Sequence, residues 1–203
     1  MTNQSPQNYE LLHREILYQG IFTLARYHLR HEVFSGGWSD VVEREVLERL
    51  SAAAVLPYDP VLDRVILIEQ FRPGALNRGD SPWLIEIVAG VYRTEKPADV
   101  AIREADEEAG CLISDLILIH DYHVSPGGTD EYLHVYCGKT DATNVQGIHG
   151  LAHEHEDIRV LNVTSEEAFA LLDNGKIKTA PAIVALQWLR MNKEMLQKKW
   201  KAD

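Results

Sequence analysis

The chain has 203 residues, 45% of them hydrophobic and 25% charged, with 20 Lys and Arg against 31 Asp and Glu. Its net charge of −11 argues against a nonspecific nucleic-acid binder or a peripheral protein on an anionic membrane, since both need a positive surface. The apolar content excludes a disordered chain, and a domain of this size buries roughly 70% of its unfolded surface without a disulfide staple. Two cysteines, Cys111 and Cys137, are too few for a disulfide framework or a four-cysteine zinc site and read as buried thiols of a reducing compartment. No stretch approaches the roughly 18 apolar residues of a membrane span, and the polar start MTNQSPQNYE lacks the regions of a signal peptide. The expectation is a soluble, cytoplasmic protein without nucleic-acid or membrane partners.

Residues 1 to 8 read as frayed. From Leu11 to Arg49 the pattern predicts three strands, with Phe22–Ala25 and Tyr27–Arg30 alternating apolar and polar residues and Gly20 and Ser35–Gly37 as punctuation. This stretch is poor in aliphatic residues, so its sheet needs a second surface, either the main domain or another subunit. Ala52–Leu56, Val65–Ile68 and Trp83–Val88 are apolar runs bounded by the turns Pro57–Pro60 and Gly79–Pro82, and read as core strands. Pro97 suits a helix start, Ala98–Ala109 is rich in helix formers, and Gly110 suits a C-cap. Leu116–Ile119 and Tyr132–Tyr136 resume the strand pattern around the loop Ser125–Asp130. A second loop runs from Thr140 to Asp157, followed by a strand at Ile158–Val163. A helix opens at Ser165 and stops before Gly175, and a last helix at Thr179–Asn192 carries Ile183, Leu186 and Leu189 on one face. Trp83, Leu186 and Trp188 read as core. The sum is an α+β domain, a mixed sheet flanked by three helices, with boundaries at 1–50 and 51–203.

The chemistry concentrates in Ala101–Gly110. Glu104, Glu107 and Glu108 stand at i, i+3 and i+4 and project from one helical face, where like charges repel. Arg103, four residues before Glu107, neutralises one carboxylate; a divalent cation, with Mg²⁺ preferring carboxylate oxygens and substrate phosphates, would neutralise the others. The plain alternative is a solvated acidic face.

The run Gly90-Val-Tyr-Arg-Thr-Glu95, followed by Arg103-Glu104-Ala105-Asp106-Glu107-Glu108-Ala109-Gly110-Cys111, resembles the Nudix box, G-x5-E-x7-R-E-U-x-E-E-x-G-U with U aliphatic. Cys111 replaces the final aliphatic residue. Seven residues separate Glu95 from Arg103 but only four follow Gly90, and the strict count lands on Lys96. Glu95 thus keeps the glutamate's place across a one-residue deletion, and in the family this glutamate supports the loop. The resemblance extends to the bacterial ADP-ribose pyrophosphatases. Pro126, sixteen residues after Gly110, marks that subfamily, and Glu69–Pro73, Ser125–Thr129, Gly147–Ala152, Glu154–Asp157 and Ala185–Leu189 look like it too.

That resemblance implies a Nudix-type α/β/α sandwich plus an N-terminal antiparallel sheet exchanged between subunits of a homodimer. It implies hydrolysis of ADP-ribose to AMP and ribose 5-phosphate with Mg²⁺, Mn²⁺ being the alternative ion. Glu104 and Glu108 would be direct ligands, Glu107 a ligand or supporting partner, and the Ala89 carbonyl, presented at a turn before Gly90, would complete the site. Arg103 would orient the glutamates, with contact to substrate as the alternative. The general base would be Glu154 or Glu156 on the loop His153–Asp157, with the balance slightly to Glu156. Phe22 occupies the family's adenine-stacking position, although a core role reads equally well. Arg72 would contact the diphosphate or pair with Glu86 or Glu69, and Glu86 asks for a partner, substrate or arginine. Arg44 would reach across a dimer contact, and Gly127 and Gly128 beside Pro126 would admit the terminal ribose. Glu131 would accept a ribose hydroxyl or lie on the plain surface. His149, His153 and His155 lack the spacing of an H-E-x-x-H zinc site and read as loop residues. Alternative functions are hydrolysis of another nucleoside diphosphate derivative such as a GDP-sugar, or nucleotide sensing without cleavage.

Overall fold

The computed structural model describes residues 5–79 and 81–201, so residues 1–4 of the expected frayed end and Asp80 of the Gly79–Pro82 turn lie outside the described residues. Gln7 and Asn8 are not frayed: the Glu32 carboxylate accepts both backbone N–H groups, at 2.9 and 3.2 Å, and the Asn8 side-chain amide at 2.7 Å. The described residues form two compact units, one from residues 5–50 and 123–132 and the other from 51–122 and 133–201.

In the first unit β1 (Tyr9–Gln19), β2 (Thr23–His31) and β3 (Val42–Glu48) make an antiparallel sheet in the order β1-β2-β3. The two alternating runs around Ala25 and Tyr27 belong to one strand, β2, rather than to two. Register shifts between Leu11 and His13 and between Ile16 and Tyr18 break the period of β1, as bulges do. Ala25 is buried, and charged pairs span the strands: Glu48 accepts from Arg14 and from the Tyr27 hydroxyl, and Glu10 from Arg30. Tyr9, Leu12, Ile16 and Tyr18 remain exposed. The loop 123–132 is tied to β3 by the Leu47 N–H on the Gly128 carbonyl (2.9 Å) and the Thr129 hydroxyl on the Leu47 carbonyl (2.8 Å).

The second unit is a mixed sheet between helices. Its strands are β4 (Ser51–Asp59), β5 (Arg64–Phe71), β6 (Trp83–Glu86), β7 (Val88–Tyr92), β8 (Asp115–His123), β9 (Tyr132–Lys139), β10 (Ile148–His149) and β11 (Ile158–Thr164). The order is β10-β11-β5-β4-β9-β8, with β6 on β5, β7 on β4, and β4 parallel to β9. The run Trp83–Val88, expected as one strand, breaks at Ile87 so that β6 pairs with β5 and β7 with β4. The helices are α1 (Pro97–Ala109), α2 (Ser165–Asp173) and α3 (Ala180–Lys201).

Strand alternation assigns the faces. Ala53 and Val55 of β4 and Ile66 and Ile68 of β5 pack with Val100, Ala101 and Ala105 of α1. Ala54, Leu56, Val65 and Leu67 pack instead with Ala168 and Phe169 of α2 and Ala182, Leu186 and Leu189 of α3. Two cores, one on each side of a sheet, make an α/β/α sandwich. α3 runs nine residues past the expected Asn192, because Leu196 and Trp200 continue the buried stripe and the Trp200 indole N–H donates to Asp115 at 2.7 Å. Trp83, expected in the core, is 55% exposed and meets Phe71 edge-on at 5.2 Å. No helix among the described residues is long and apolar enough to cross a membrane. Cys111 and Cys137 are buried free thiols, as expected, and burial pushes the Cys111 thiol up to about 12.

Candidate active site

α1 begins with Pro97 at its first position, where a missing N–H costs nothing, and ends at Gly110 in the left-handed region at φ 62°. Its inner face carries Val100, Ala101, Ala105, Glu108 and Ala109. Glu108 therefore points into the protein and is 3% exposed, which overturns a solvated acidic face. Glu104 flanks it with 14% side-chain exposure and Glu107 with 29%. Two of these carboxylates sit in the last turn of the helix, where the dipole disfavours negative charge.

Each carboxylate has a protein partner. Arg103 Nη1 lies 2.9 Å from Glu104 and 2.7 Å from Glu107, and its Nη2 lies 3.7 Å from Glu95. Arg103 thus orients two glutamates of the motif and ties in Glu95. Glu108 accepts the Ala89 N–H at 3.0 Å. Ala89 and Gly90 lie inside β7, opposite Ala54 and Ala53, and not at the expected turn. Gly90 serves close approach: a Cβ there would lie 1.9 Å from Glu104 Oε1. Among the described residues no three carboxylate, imidazole or thiolate groups already converge as a metal-binding cluster.

The electrostatics bear on whether a cation fits. Burial pushes the Glu108 carboxyl up to about 8; the Ala89 N–H and Arg72 oppose this, and the charges of Glu104 and Glu156 add to it. Burial likewise raises Glu104, with Arg103 opposing and Glu107 and Glu156 adding. These are hard oxygen donors whose charges act on one another, more negative than positive, the chemistry that suits a hard divalent cation. The donor set fits.

The loop 147–157 holds what the sequence read as unstructured: β10 and a 3₁₀ turn at Ala152–Glu154. Glu156 is half-buried, acts on both Glu104 and Glu108, and accepts the Leu151 N–H at 3.0 Å. Glu154 is 55% exposed beside His153. His149 bonds the Gln146 carbonyl at 3.0 Å, while His153 and His155 are exposed. Of the two readings of Arg72, the structure shows the ion pair with Glu86, at 3.0 and 2.9 Å from Nε and Nη2. Gln70, missed in the sequence, donates to the same Glu86 oxygen at 3.2 Å, while Glu69 pairs with Arg159.

The other sequence candidates belong to the first unit. Phe22 is 42% exposed rather than core, and the Arg49 guanidinium lies 4.8 Å from its ring centroid. Arg49 also meets Glu131 at 2.8 Å, and Glu131 has 12% side-chain exposure, so a plain surface role is overturned. Arg49 was missed because its partner lies 82 residues away, beyond any local pattern. Arg44 is exposed and bonds the Glu43 carbonyl, and Pro126, Gly127 and Gly128 form an exposed turn.

The raised Glu108 carboxyl fixes a sign. With a folded value of about 8 above the usual 4.5, its contribution to stability is full below the unfolded value and is lost as pH rises toward the folded one. Glu108→Gln stays neutral, so in chelator it should melt higher than the parent above about pH 6, with a gap growing to about pH 8 and closing near about pH 4. Thermal scans across pH check this; a gap independent of pH contradicts it.

Comparison with known proteins places the chain in a family. The NUDIX domain model matches residues 48–193. The chain is 46% identical over 201 residues to an ADP-ribose pyrophosphatase of Haemophilus influenzae, covering 97% of this chain and 93% of that protein. It is also 46% identical to one of Escherichia coli strain K12 over 94% of this chain and 92% of that one. A GDP-mannose pyrophosphatase of Pectobacterium atrosepticum is 32% identical over 88% and 92% of the two chains. A crystal structure titled as an ADP compounds hydrolase shares the fold at 21% identity, TM-score 0.71, over 98% of this chain and all of that one. With the box residues gathered on α1 and β7 and the family model spanning most of its length, the chain belongs to the NUDIX domain family.

Proposed function

We propose that this chain is a hydrolase that cleaves the pyrophosphate of ADP-ribose into AMP and ribose 5-phosphate, with Mg²⁺ as the working cation and Mn²⁺ as a substitute. The observation that carries the reading is the crowd of carboxylates, with buried Glu108 at its centre, which lacks positive charge to match. The names of the relatives at 46% identity support the substrate. A sensor that does not cleave has no need of the full acidic set, which weighs against that alternative.

Glu104, Glu107 and Glu108, with the Ala89 carbonyl, would hold the ion. When bound, a divalent cation neutralises the diphosphate and makes phosphorus more electrophilic. Arg103 keeps Glu104 and Glu107 turned toward the site. Arg72 is anchored by Glu86 and still 44% exposed, so its remaining N–H groups can meet a phosphate oxygen. Water attacks phosphorus, the bridging P–O bond breaks, and the proton of the water passes to a carboxylate. We assign that role to Glu154, because Glu156 already holds the Leu151 N–H and adds its charge to the cluster. Glu154 is an exposed loop carboxylate, able to approach after substrate binds. The family resemblance assigns adenine stacking to Phe22 and ribose contacts to Glu131 and the Pro126–Gly128 turn, all residues of the first unit, within which Arg49 lies against the Phe22 ring. Buried thiols at Cys111 and Cys137 accord with a reducing cytoplasm.

A homodimer completes the proposal. Tyr9, Leu12, Ile16 and Tyr18 expose apolar surface on β1, and Arg44 would reach the second subunit. Light scattering should give twice the chain mass, whereas the mass of one chain contradicts the dimer. For the activity, a panel of ADP-ribose, GDP-mannose, NADH and a diadenosine polyphosphate should show ADP-ribose cleaved best, only with the cation present. Glu108→Gln should lower turnover about a hundredfold or more while the fold survives, and Glu154→Gln should lower kcat with little change in KM. Preference for GDP-mannose would favour the GDP-sugar reading, and an undiminished Glu108→Gln would overturn the site.

A further inference from the structure

The loop that carries Glu156 meets α1 at two glycines. Gly110 ends the helix, and a Cβ there would stand 2.8 Å from His149 Cε1. Gly150 has φ 101°, and a Cβ there would stand 2.6 Å from Glu156 Cβ and 3.3 Å from the Glu156 backbone. The Gly150 N–H donates to the Glu107 carbonyl at 3.3 Å, one of the final-turn carbonyls that no later residue of the helix can satisfy. Glu156 then closes the loop on itself, accepting the Leu151 N–H at 3.0 Å and donating its own N–H to the Leu151 carbonyl at 3.4 Å.

We propose that Gly150 is a positioning residue that seats this loop on the metal-bearing turn of α1 and so sets Glu156 beside Glu104 and Glu108. The inference rests on the hydrolase reading above, with Glu156 as a member of the acidic cluster. Any side chain at Gly150 takes the room that Glu156 occupies and strains the backbone. Because the collision is with the Glu156 Cβ and backbone, no rotamer change relieves it, so the loop backbone must shift, and that shift carries the Glu156 carboxylate away from the cation site.

Gly147 provides the control. Its φ is 105°, and a Cβ there meets nothing nearer than His149 Nε2 at 3.8 Å, so alanine brings the same backbone strain without the collision. The full chain would be titrated with Mn²⁺ alone, following the free ion by electron paramagnetic resonance, and assayed separately with ADP-ribose. Gly150→Ala should weaken Mn²⁺ binding and lower kcat by about tenfold or more, while Gly147→Ala should move each by no more than about twofold. In a Glu156→Gln background, Gly150→Ala should add no more than about twofold. Leu151→Pro, which deletes the N–H that Glu156 holds, should reproduce the loss and stands in if Gly150→Ala fails to fold. Parent-like Mn²⁺ binding in Gly150→Ala or its stand-in, or an equal loss with and without Glu156, overturns the proposal. A parent that binds Mn²⁺ but leaves ADP-ribose intact sinks the hydrolase reading instead, and the Mn²⁺ comparison still judges Gly150.

Discussion

Glu108 is a carboxylate folded into the inner face of a helix, 3% exposed, and among the described residues its hydrogen-bond donor is the Ala89 backbone N–H. An ionised group in that place carries a desolvation cost that one hydrogen bond does not offset. The helix dipole and the neighbouring Glu104 add to the cost, and so does Glu156 from the loop. Burial and these neighbours favour the protonated form of the group where no positive charge is added. On the proposed function, a divalent cation bound there would relieve the same stress by favouring the ionised carboxylates. The rest of the site follows from how this stress is arranged.

The scaffold holds the arrangement through close approaches. β7 brings Ala89 to Glu108, and its bare Gly90 leaves the space that Glu104 fills. Small residues on β4 (Ala53) and α1 (Ala101, Ala105) pack together on that side of the sheet. The opposite face is filled from α2 and α3, so the sheet is covered on both sides while α1 presents its acidic turns. Arg103 bonds to Glu104 and Glu107 and lies near Glu95, which keeps the outer carboxylates oriented before any cation arrives.

Much of this was legible in the residues. The E-x-x-E-E spacing, the preceding arginine and Gly110 gave the helix, its acidic set and its end, because helical period and capping are local properties. The alternation of β4 and β5 gave the two-sided core for the same reason. The burial of Glu108 was not legible, since it depends on β7 lying across the helix. The break at Ile87 was hidden inside an apolar run whose two halves pair with different strands. Trp83 reads as core by composition yet sits where β6 and the end of β5 leave it half outside. The pairing of Arg49 with Phe22 and Glu131 joins residues far apart in sequence. Lysines at the end of α3 masked the buried Leu196 and Trp200. The family resemblance supplied candidates in these places, and the geometry separated half-buried Glu156 from exposed Glu154.

On the proposed function, Glu108 gives up a proton when a divalent cation binds. Calorimetric titration of the full chain with Mg²⁺ near pH 7, in buffers of different ionisation enthalpy, reads this directly. With a carboxyl held at about 8, binding should release close to about one proton per chain, and Glu108→Gln should release far less. A binding heat that is the same in every buffer, or a release untouched by Glu108→Gln, would contradict the account.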